Sequence, residues 1–269
     1  MSLRRRLLFT LCALCLPALA QPVVEEVPFV TTPDNVTLAL LQLAGVGARD
    51  HVIDLGSGDG RIVVTAARRF GASGLGVEIV PELVARSRAS AARAGVAART
   101  EFREQDLFQT DLSRATVVTM YLLPEVNLQL RPRLLALAPG TRIVSHDWDM
   151  GDWVPDATVV VDAPDKTIGR EKLSRLHRWV VPARADGLWC GAGGRELRLT
   201  QQYQLVQGRW RSGARSLAVQ GRLDGRALRL LGEGLALAGR VDDGRIAWTG
   251  GGGGRDGPLR RADGETCPQ

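Results

Sequence analysis

Residues 51–62 read His51-Val52-Ile53-Asp54-Leu55-Gly56-Ser57-Gly58-Asp59-Gly60-Arg61-Ile62. A short apolar run ends in a carboxylate and a leucine. Three glycines then alternate with small polar residues, and an apolar-periodic stretch begins. The pattern predicts a buried strand over His51–Leu55, a glycine loop over Gly56–Gly60 and a helix over Arg61–Phe70 with Ile62, Val63, Ala66 and Ala67 inward. Glycines let the backbone turn tightly and let a ligand approach with no Cβ in the way. No Lys-Ser/Thr pair follows them, which argues against the phosphate-binding loop of ATPases.

The same alternation extends in both directions. A helix over Val36–Gly45 precedes the strand. After it come a strand over Gly74–Glu78, a helix over Pro81–Gly95, and strands over Thr100–Arg103 and Ala115–Tyr121. A helix over Pro124–Leu137, closed by Pro139-Gly140, leads to strands over Thr141–His146, Thr158–Val161 and Leu176–Val181. Pro81 is tolerated in a first helical turn, and Gly95 is a natural helix stop. Strands and helices in this order predict an α/β fold, a Rossmann-like seven-stranded sheet covered on both faces. Its ligand belongs at the carboxyl ends of the strands, near the point where strand order reverses. From Gly187 the helical stretches stop. Alternating runs over 196–205, 216–223, 227–231, 235–241 and 245–248, with turns such as Leu223-Asp224-Gly225 and Asp242-Asp243-Gly244, predict a small C-terminal all-β domain over 187–249. A meander or a partial barrel both fit. The glycine run Gly250–Gly254 opens what reads as a flexible tail to Gln269.

Three carboxylates make the loop chemically specific. Asp54 lies in the first strand, next to the loop, Glu78 ends the second, and Asp106 follows the third. Glu78 stands where nucleotide-binding α/β folds place the carboxylate that holds ribose hydroxyls. A ligand with an adenosine, a positive centre and no phosphate suits such a pocket.

Four segments together resemble one family: Phe29-Val-Thr-Thr-Pro33 with Pro28 before it, Asp54-Leu-Gly-Ser-Gly-Asp-Gly-Arg-Ile62, Thr119-Met-Tyr-Leu-Leu-Pro124 with Asn127, and Val144-Ser-His-Asp-Trp-Asp-Met-Gly-Asp-Trp153. The domain over 28–182 resembles a class I S-adenosylmethionine-dependent methyltransferase. Within that class its pattern is similar to the lysine N-methyltransferases of the ATP synthase c subunit and the adenine nucleotide translocase, with their bacterial relatives. The glycine motif is shared by the whole superfamily, and the Tyr-Leu-Leu-Pro and Ser-His-Asp-Trp-Asp segments narrow the match. The resemblance implies S-adenosyl-L-methionine as cofactor, with Asp54, Gly56, Ser57, Gly58 and Gly60 along its methionine part. It places Glu78 on the ribose, and Asp106 and Leu107 on the adenine. It implies a protein lysine as acceptor, with Tyr121, His146 and Asp147 as the catalytic candidates and Thr32 and Pro33 as a lid.

The transferable methyl is activated by the cofactor itself, so the protein has to hold an acceptor in line and exclude water. An amine acceptor must also be neutral, and a carboxylate or imidazole could take its proton. Trp148 and Trp153 fit either the walls of an amine pocket or core anchors, and the second reading is preferred. No Cys/His cluster has metal-ligand spacing, so no metal is expected.

Composition bounds the remaining possibilities. The chain has 269 residues, 45% hydrophobic and 24% charged, which excludes a disordered or disulfide-scaffold protein. Its 35 Lys+Arg and 29 Asp+Glu give +6, and all but two of the bases are arginine. Arg4, Arg5 and Arg6 precede an apolar core over Leu7–Leu16 and Ala18-Leu-Ala20, the form of a cleaved secretory signal peptide over 1–20. Without it 32 basic residues face the same 29 acids, or +3, too weak and scattered for a nucleic-acid footprint. Export to the periplasm or cell envelope is expected, or membrane anchoring by an uncleaved leader, with membrane contact only through that leader. Cys190 and Cys267 then remain, as a pair or as free thiols. Two other functions stay open: methylation of a small molecule or lipid, and a non-catalytic envelope protein that keeps the fold. The leader favours the last, since it sends the chain away from the compartment where the cofactor is made. The intact loop and three carboxylates favour an enzyme.

Overall fold

The computed structural model describes residues 29–168, 170–251 and 257–267. The leader and Pro28 lie outside them. Two sheets organise the chain. In the first, β1 (His51–Leu55), β2 (Ser73–Glu78), β3 (Thr100–Glu104), β4 (Val117–Met120) and β5 (Arg142–His146) run parallel, β6 (Ala157–Asp162) forms the far edge, and β7 (Leu173–Val180) is antiparallel to both β5 and β6. Strand order is β3-β2-β1-β4-β5-β7-β6. The order reverses between β1 and β4, so the crevice at their carboxyl ends is the place for a ligand.

Alternation along each strand sends neighbours to opposite faces. Val52, Val117 and Val144 pack with Val36, Leu40 and Leu41 of α1 (Asp34–Leu43) and with Ile62 and Ala66 of α2 (Arg61–Phe70). Ile53, Val118 and Ile143 pack on the other face with Leu130 and Leu134 of α4 (Pro124–Leu135), Met150, Trp153 and Trp179. The second apolar stripe of α2, Val63 and Ala67, meets Val84 and Ala91 of α3 (Pro81–Arg93). The central strands are buried on both sides, which is why they read as continuous apolar runs.

The second sheet closes on itself. β8 (Gly187–Gly191) through β15 (Leu259–Arg261) form an eight-stranded antiparallel barrel in the order β10-β11-β12-β13-β14-β15-β8-β9. Trp189, Leu197, Leu199, Val206, Trp210, Leu228, Leu230 and Ile246 are among the side chains that fill its interior. Here the expectation of a flexible tail from Gly250 is corrected. β14 runs to Gly251, and β15 places the fully buried Leu259 in the barrel core. Beyond it Cys267 is joined to Cys190 of β8 by a disulfide. A three-residue strand with one apolar side chain carries no periodic signal, so only the closing pairing reveals it.

The barrel grips the sheet through the turn between β9 (Arg195–Gln202) and β10 (Leu205–Ser212). Tyr203 stacks on Trp153 with ring centroids 5.8 Å apart, and its hydroxyl donates to Asp152 at 2.9 Å. The Trp153 indole donates to Gln204 Oε1 at 3.0 Å, and Trp153 is fully buried. Trp153 is therefore a core anchor. Among the described residues no helix is long and apolar enough to cross a membrane.

Candidate active site

The glycine loop leaves β1 between the carboxyl ends of β2 and β4. Gly56, Gly58 and Gly60 all have positive φ, 72°, 53° and 78°, which a side chain would strain. At Gly58 a Cβ would also stand 2.6 Å from the Phe29 ring. Phe29, from the segment before α1, is thus the group that lies on the loop. Thr32 and Pro33, expected as a lid, are buried instead. Thr32 shares a hydrogen bond with His146 Nδ1 at 3.1 Å, and its carbonyl accepts from Arg61 at 2.8 Å.

Asp54 and Thr119 are register partners on β1 and β4, so the pleat turns both to one face. The Thr119 hydroxyl donates to Asp54 Oδ1 at 2.6 Å. Asp54 is only 2% exposed. Burial, and then the charges of Glu78 and Asp59, push its carboxyl up to about 7, against the lowering effect of Thr119. Thr119 opens one of the family segments, but nothing in that segment marks it as the partner of Asp54.

Glu78 is held by three amides. Its Oε2 accepts from Gly58 N at 2.9 Å, and its Oε1 from Ile79 N at 2.8 Å and Val80 N at 3.1 Å. The β2 carboxylate is thereby fixed against the glycine loop, leaving lone pairs for hydroxyl donors. Asp106 caps the turn Leu107–Gln109, accepting from Phe108 N at 2.8 Å, and Leu107 packs against the core. A buried carboxylate with no cationic side chain bonded to it among the described residues, a second carboxylate held on the loop, and a cradle free of Cβ atoms fit a positively charged adenosine cofactor.

The other side of the rim is built from β4 and β5. Tyr121 stacks on His146 with ring centroids 3.9 Å apart, and its phenol donates to Asp147 Oδ2 at 3.3 Å. Burial and the Asp147 charge push that phenol up to about 12, so it stays protonated. His146 has no exposed surface. Its second ring nitrogen shares a hydrogen bond with Ser174 at 2.7 Å, and burial pushes the imidazole down to about 4. With both nitrogens engaged, neutral His146 is a platform beneath Tyr121. This corrects the expectation that it could take a proton from the acceptor.

Asp147 has φ +63°, a left-handed backbone that aspartate adopts more readily than most residues. It accepts from Arg175 N at 3.0 Å and pairs with the Lys166 ammonium at 2.6 Å. Burial would raise this carboxyl, but Lys166 and the Arg175 amide outweigh it and hold it below the usual value. Asn127, buried on α4, donates to the Trp148 and Asp149 carbonyls at 3.2 Å and fastens the segment that follows Asp147. Trp148 itself is partly exposed, 44% of its surface open to solvent. Phe29, Ser174 and Lys166 were not singled out from sequence as site residues, because each comes from a segment remote from the motif it touches.

The sequence profile of the ANTKMT methyltransferase domain matches residues 54–157, which include the loop, Glu78, Tyr121 and Asp147. A protein-lysine N-methyltransferase of Saccharolobus islandicus is 43% identical over 141 residues, 52% of this chain and 88% of its own length. The chain belongs to the ANTKMT methyltransferase family. As a family member it is an S-adenosylmethionine-dependent methyltransferase. A Xenopus laevis relative, named as the lysine N-methyltransferase of the ATP synthase c subunit, is 37% identical over 142 residues, 52% of this chain, and the match spans 60% of that relative. A crystal structure from Salinibacter ruber, described as an RNA methyltransferase with S-adenosyl-L-homocysteine bound, is 51% identical, with a TM-score of 0.53. It covers 58% of this chain and 95% of its own. The profile match of this ANTKMT member ends before the barrel begins.

Proposed function

We propose that this chain transfers a methyl group from S-adenosylmethionine to a lysine side chain of a protein. The observation that carries the reading is the ionised Asp147 carboxylate beside Tyr121, on the rim that the glycine loop shares. The carboxylate already holds the Lys166 ammonium, and once freed of it would attract another ammonium and repel a phosphate. The relatives named as lysine N-methyltransferases support the same acceptor.

The cofactor supplies an electrophilic methyl on a sulfonium. Asp54 and Glu78 would hold its charged and hydroxyl groups and Asp106 its adenine, with the glycine loop giving close backbone approach. Tyr121 and Asp147 would orient the incoming nitrogen, while the Trp148 side chain borders it. None of the three catalytic candidates is a strong base at neutral pH. Tyr121 keeps its proton, His146 is sealed, and Asp147 is held ionised. The acceptor's proton therefore leaves to water after Asp147 has drawn the ammonium in and before the methyl moves, and the rim works by alignment.

A second reading, methylation of RNA, is favoured by the description of the Salinibacter structure. Asp147, whose partner in the fold is already a lysine ammonium, weighs against it. Incubating the full-length chain with methyl-labelled cofactor and a cell extract separates the two. Label recovered as methyl-lysine after protein hydrolysis is expected. Label in RNA, or in the organic-solvent fraction, overturns the lysine reading.

We further propose that the chain is exported. The basic and apolar leader and the Cys190–Cys267 bond support this, because disulfides persist in oxidising compartments. Residues 1–30 fused to a phosphatase active only outside the cytoplasm should give activity, and an inactive fusion overturns the proposal.

A further inference from the structure

We propose that the Asp147 carboxylate is the subsite for the acceptor's ammonium, and that Lys166 is an internal lysine seated in that subsite until the acceptor displaces it. The inference rests on the lysine reading above and assigns the residues that receive the amine.

Lys166 comes from the loop that joins β6 to β7. Its Nζ lies 2.6 Å from Asp147 Oδ2, the same oxygen that accepts from the Tyr121 phenol at 3.3 Å. The ammonium therefore stands beside both rim candidates at once. Its other protein partner is the Leu173 carbonyl at 2.7 Å. An ammonium carries three donors, and among the described residues these two partners engage two of them. The side chains are 12% and 17% exposed, so the pair is nearly enclosed.

Sequence makes this lysine unusual. Of 35 basic residues only Lys166 and Lys172 are lysines, and both lie in this one loop. Everywhere else the chain uses arginine for surface charge. A planar guanidinium has a different shape from an ammonium and makes a poor copy of a lysine acceptor. Lys172 turns away from Asp147. It donates to the Lys166 carbonyl at 2.5 Å and secures the loop that carries the mimic. The loop is also tied by Ala163 N to the Lys172 carbonyl at 2.7 Å. It is thus closed on itself, and Lys166 reaches from it to the rim.

Asp147 is shaped for such a guest. Its left-handed backbone turns the carboxylate across the end of β5, and Arg175 N holds Oδ1 while Oδ2 faces the two donors. An acceptor lysine arriving from solvent would make the same contacts after Lys166 leaves. An internal occupant lowers apparent affinity by the fraction of time the subsite is vacant.

The test is calorimetric titration of full-length protein, saturated with S-adenosyl-L-homocysteine, with Nα-acetyl-lysine N-methylamide as the probe. If Lys166 fills the subsite about nine-tenths of the time, Lys166→Met should bind the probe about tenfold more tightly than wild type. Lys166→Arg, whose planar guanidinium fits the subsite less well, should fall between wild type and Lys166→Met. Asp147→Asn suits the left-handed backbone, and added to Lys166→Met it should abolish the gain. Equal affinity in wild type and Lys166→Met, or a gain that survives Asp147→Asn, overturns the proposal. Binding of S-adenosyl-L-homocysteine is measured first in each variant and should be unchanged. Its absence in wild type would overturn the methyltransferase reading itself, a distinct result.

Discussion

Replacing Asp54 by asparagine should make the empty enzyme more stable and the cofactor site worse. In the folded chain the Asp54 carboxyl is raised from 3.8 to about 7, chiefly by burial. That rise corresponds to about 4 kcal/mol of preference for the neutral acid. The sign follows from proton uptake. Between pH 4 and 7 the folded state holds a proton at Asp54 that the unfolded state has lost, so stability falls as pH rises through this window. The contribution is fully present below pH 4 and gone above about pH 7. The Asp54→Asn side chain would keep an oxygen to accept the 2.6 Å hydrogen bond from Thr119 and would never ionise. The variant should match wild type near pH 4 and exceed it by up to about 4 kcal/mol at pH 8.5. Losing one charge-assisted contact should weaken cofactor binding about a hundredfold. Urea unfolding followed by helical circular dichroism reports the α/β sheet alone, since no α-helix occurs among the described barrel residues. Wild type and variant with the same pH dependence from 5 to 8.5 would refute the reasoning, because Asp54 would then not be a buried carboxylate straining the empty site.

Three further outcomes are expected. Reducing the Cys190–Cys267 bond, whose ends lie 77 residues apart in sequence, frees a long loop in the unfolded barrel. Chain-entropy arguments put the loss at about 4 kcal/mol, visible as a lower urea midpoint by tryptophan fluorescence and absent if the bond does not form. Gly208→Ala would drive a Cβ into the Arg198 carbonyl across the β9–β10 pair, so strands must separate there. A cost of about 2–3 kcal/mol or more is expected in barrel stability, and a neutral variant would contradict the strand register. In the pH profile of methyl transfer, neither His146, neutral above about 4, nor Tyr121, protonated to about 12, should produce an inflection. From pH 7.5 to 9.5 the rate should rise about tenfold per pH unit as the acceptor lysine loses its proton. A plateau near pH 6.5 that His146→Asn removes would show that the imidazole is the base after all.

Much of this protein is written in local patterns. The α/β alternation, the glycine loop with Asp54 and Glu78, and the change to β texture near Gly187 are readable because strand period, helix period and turn chemistry depend on neighbours a few residues apart. The family segments at Thr119–Pro124 and Val144–Trp153 are legible for the same reason, and they brought Tyr121, His146 and Asp147 forward together. Their roles were not legible. Whether His146 faces an acceptor or sits sealed between Thr32 and Ser174 depends on segments 114 and 28 residues away. The pairing of Asp54 with Thr119 follows from β1–β4 register, the seating of Lys166 on Asp147 from the β6–β7 loop, and the closure of the barrel from a three-residue strand at its far end. Sequence by itself determined which chemistry-bearing residues the chain possesses and which elements carry them. Tertiary structure decided which of them meet, because desolvation and charge pairing act through space between groups that the chain keeps far apart.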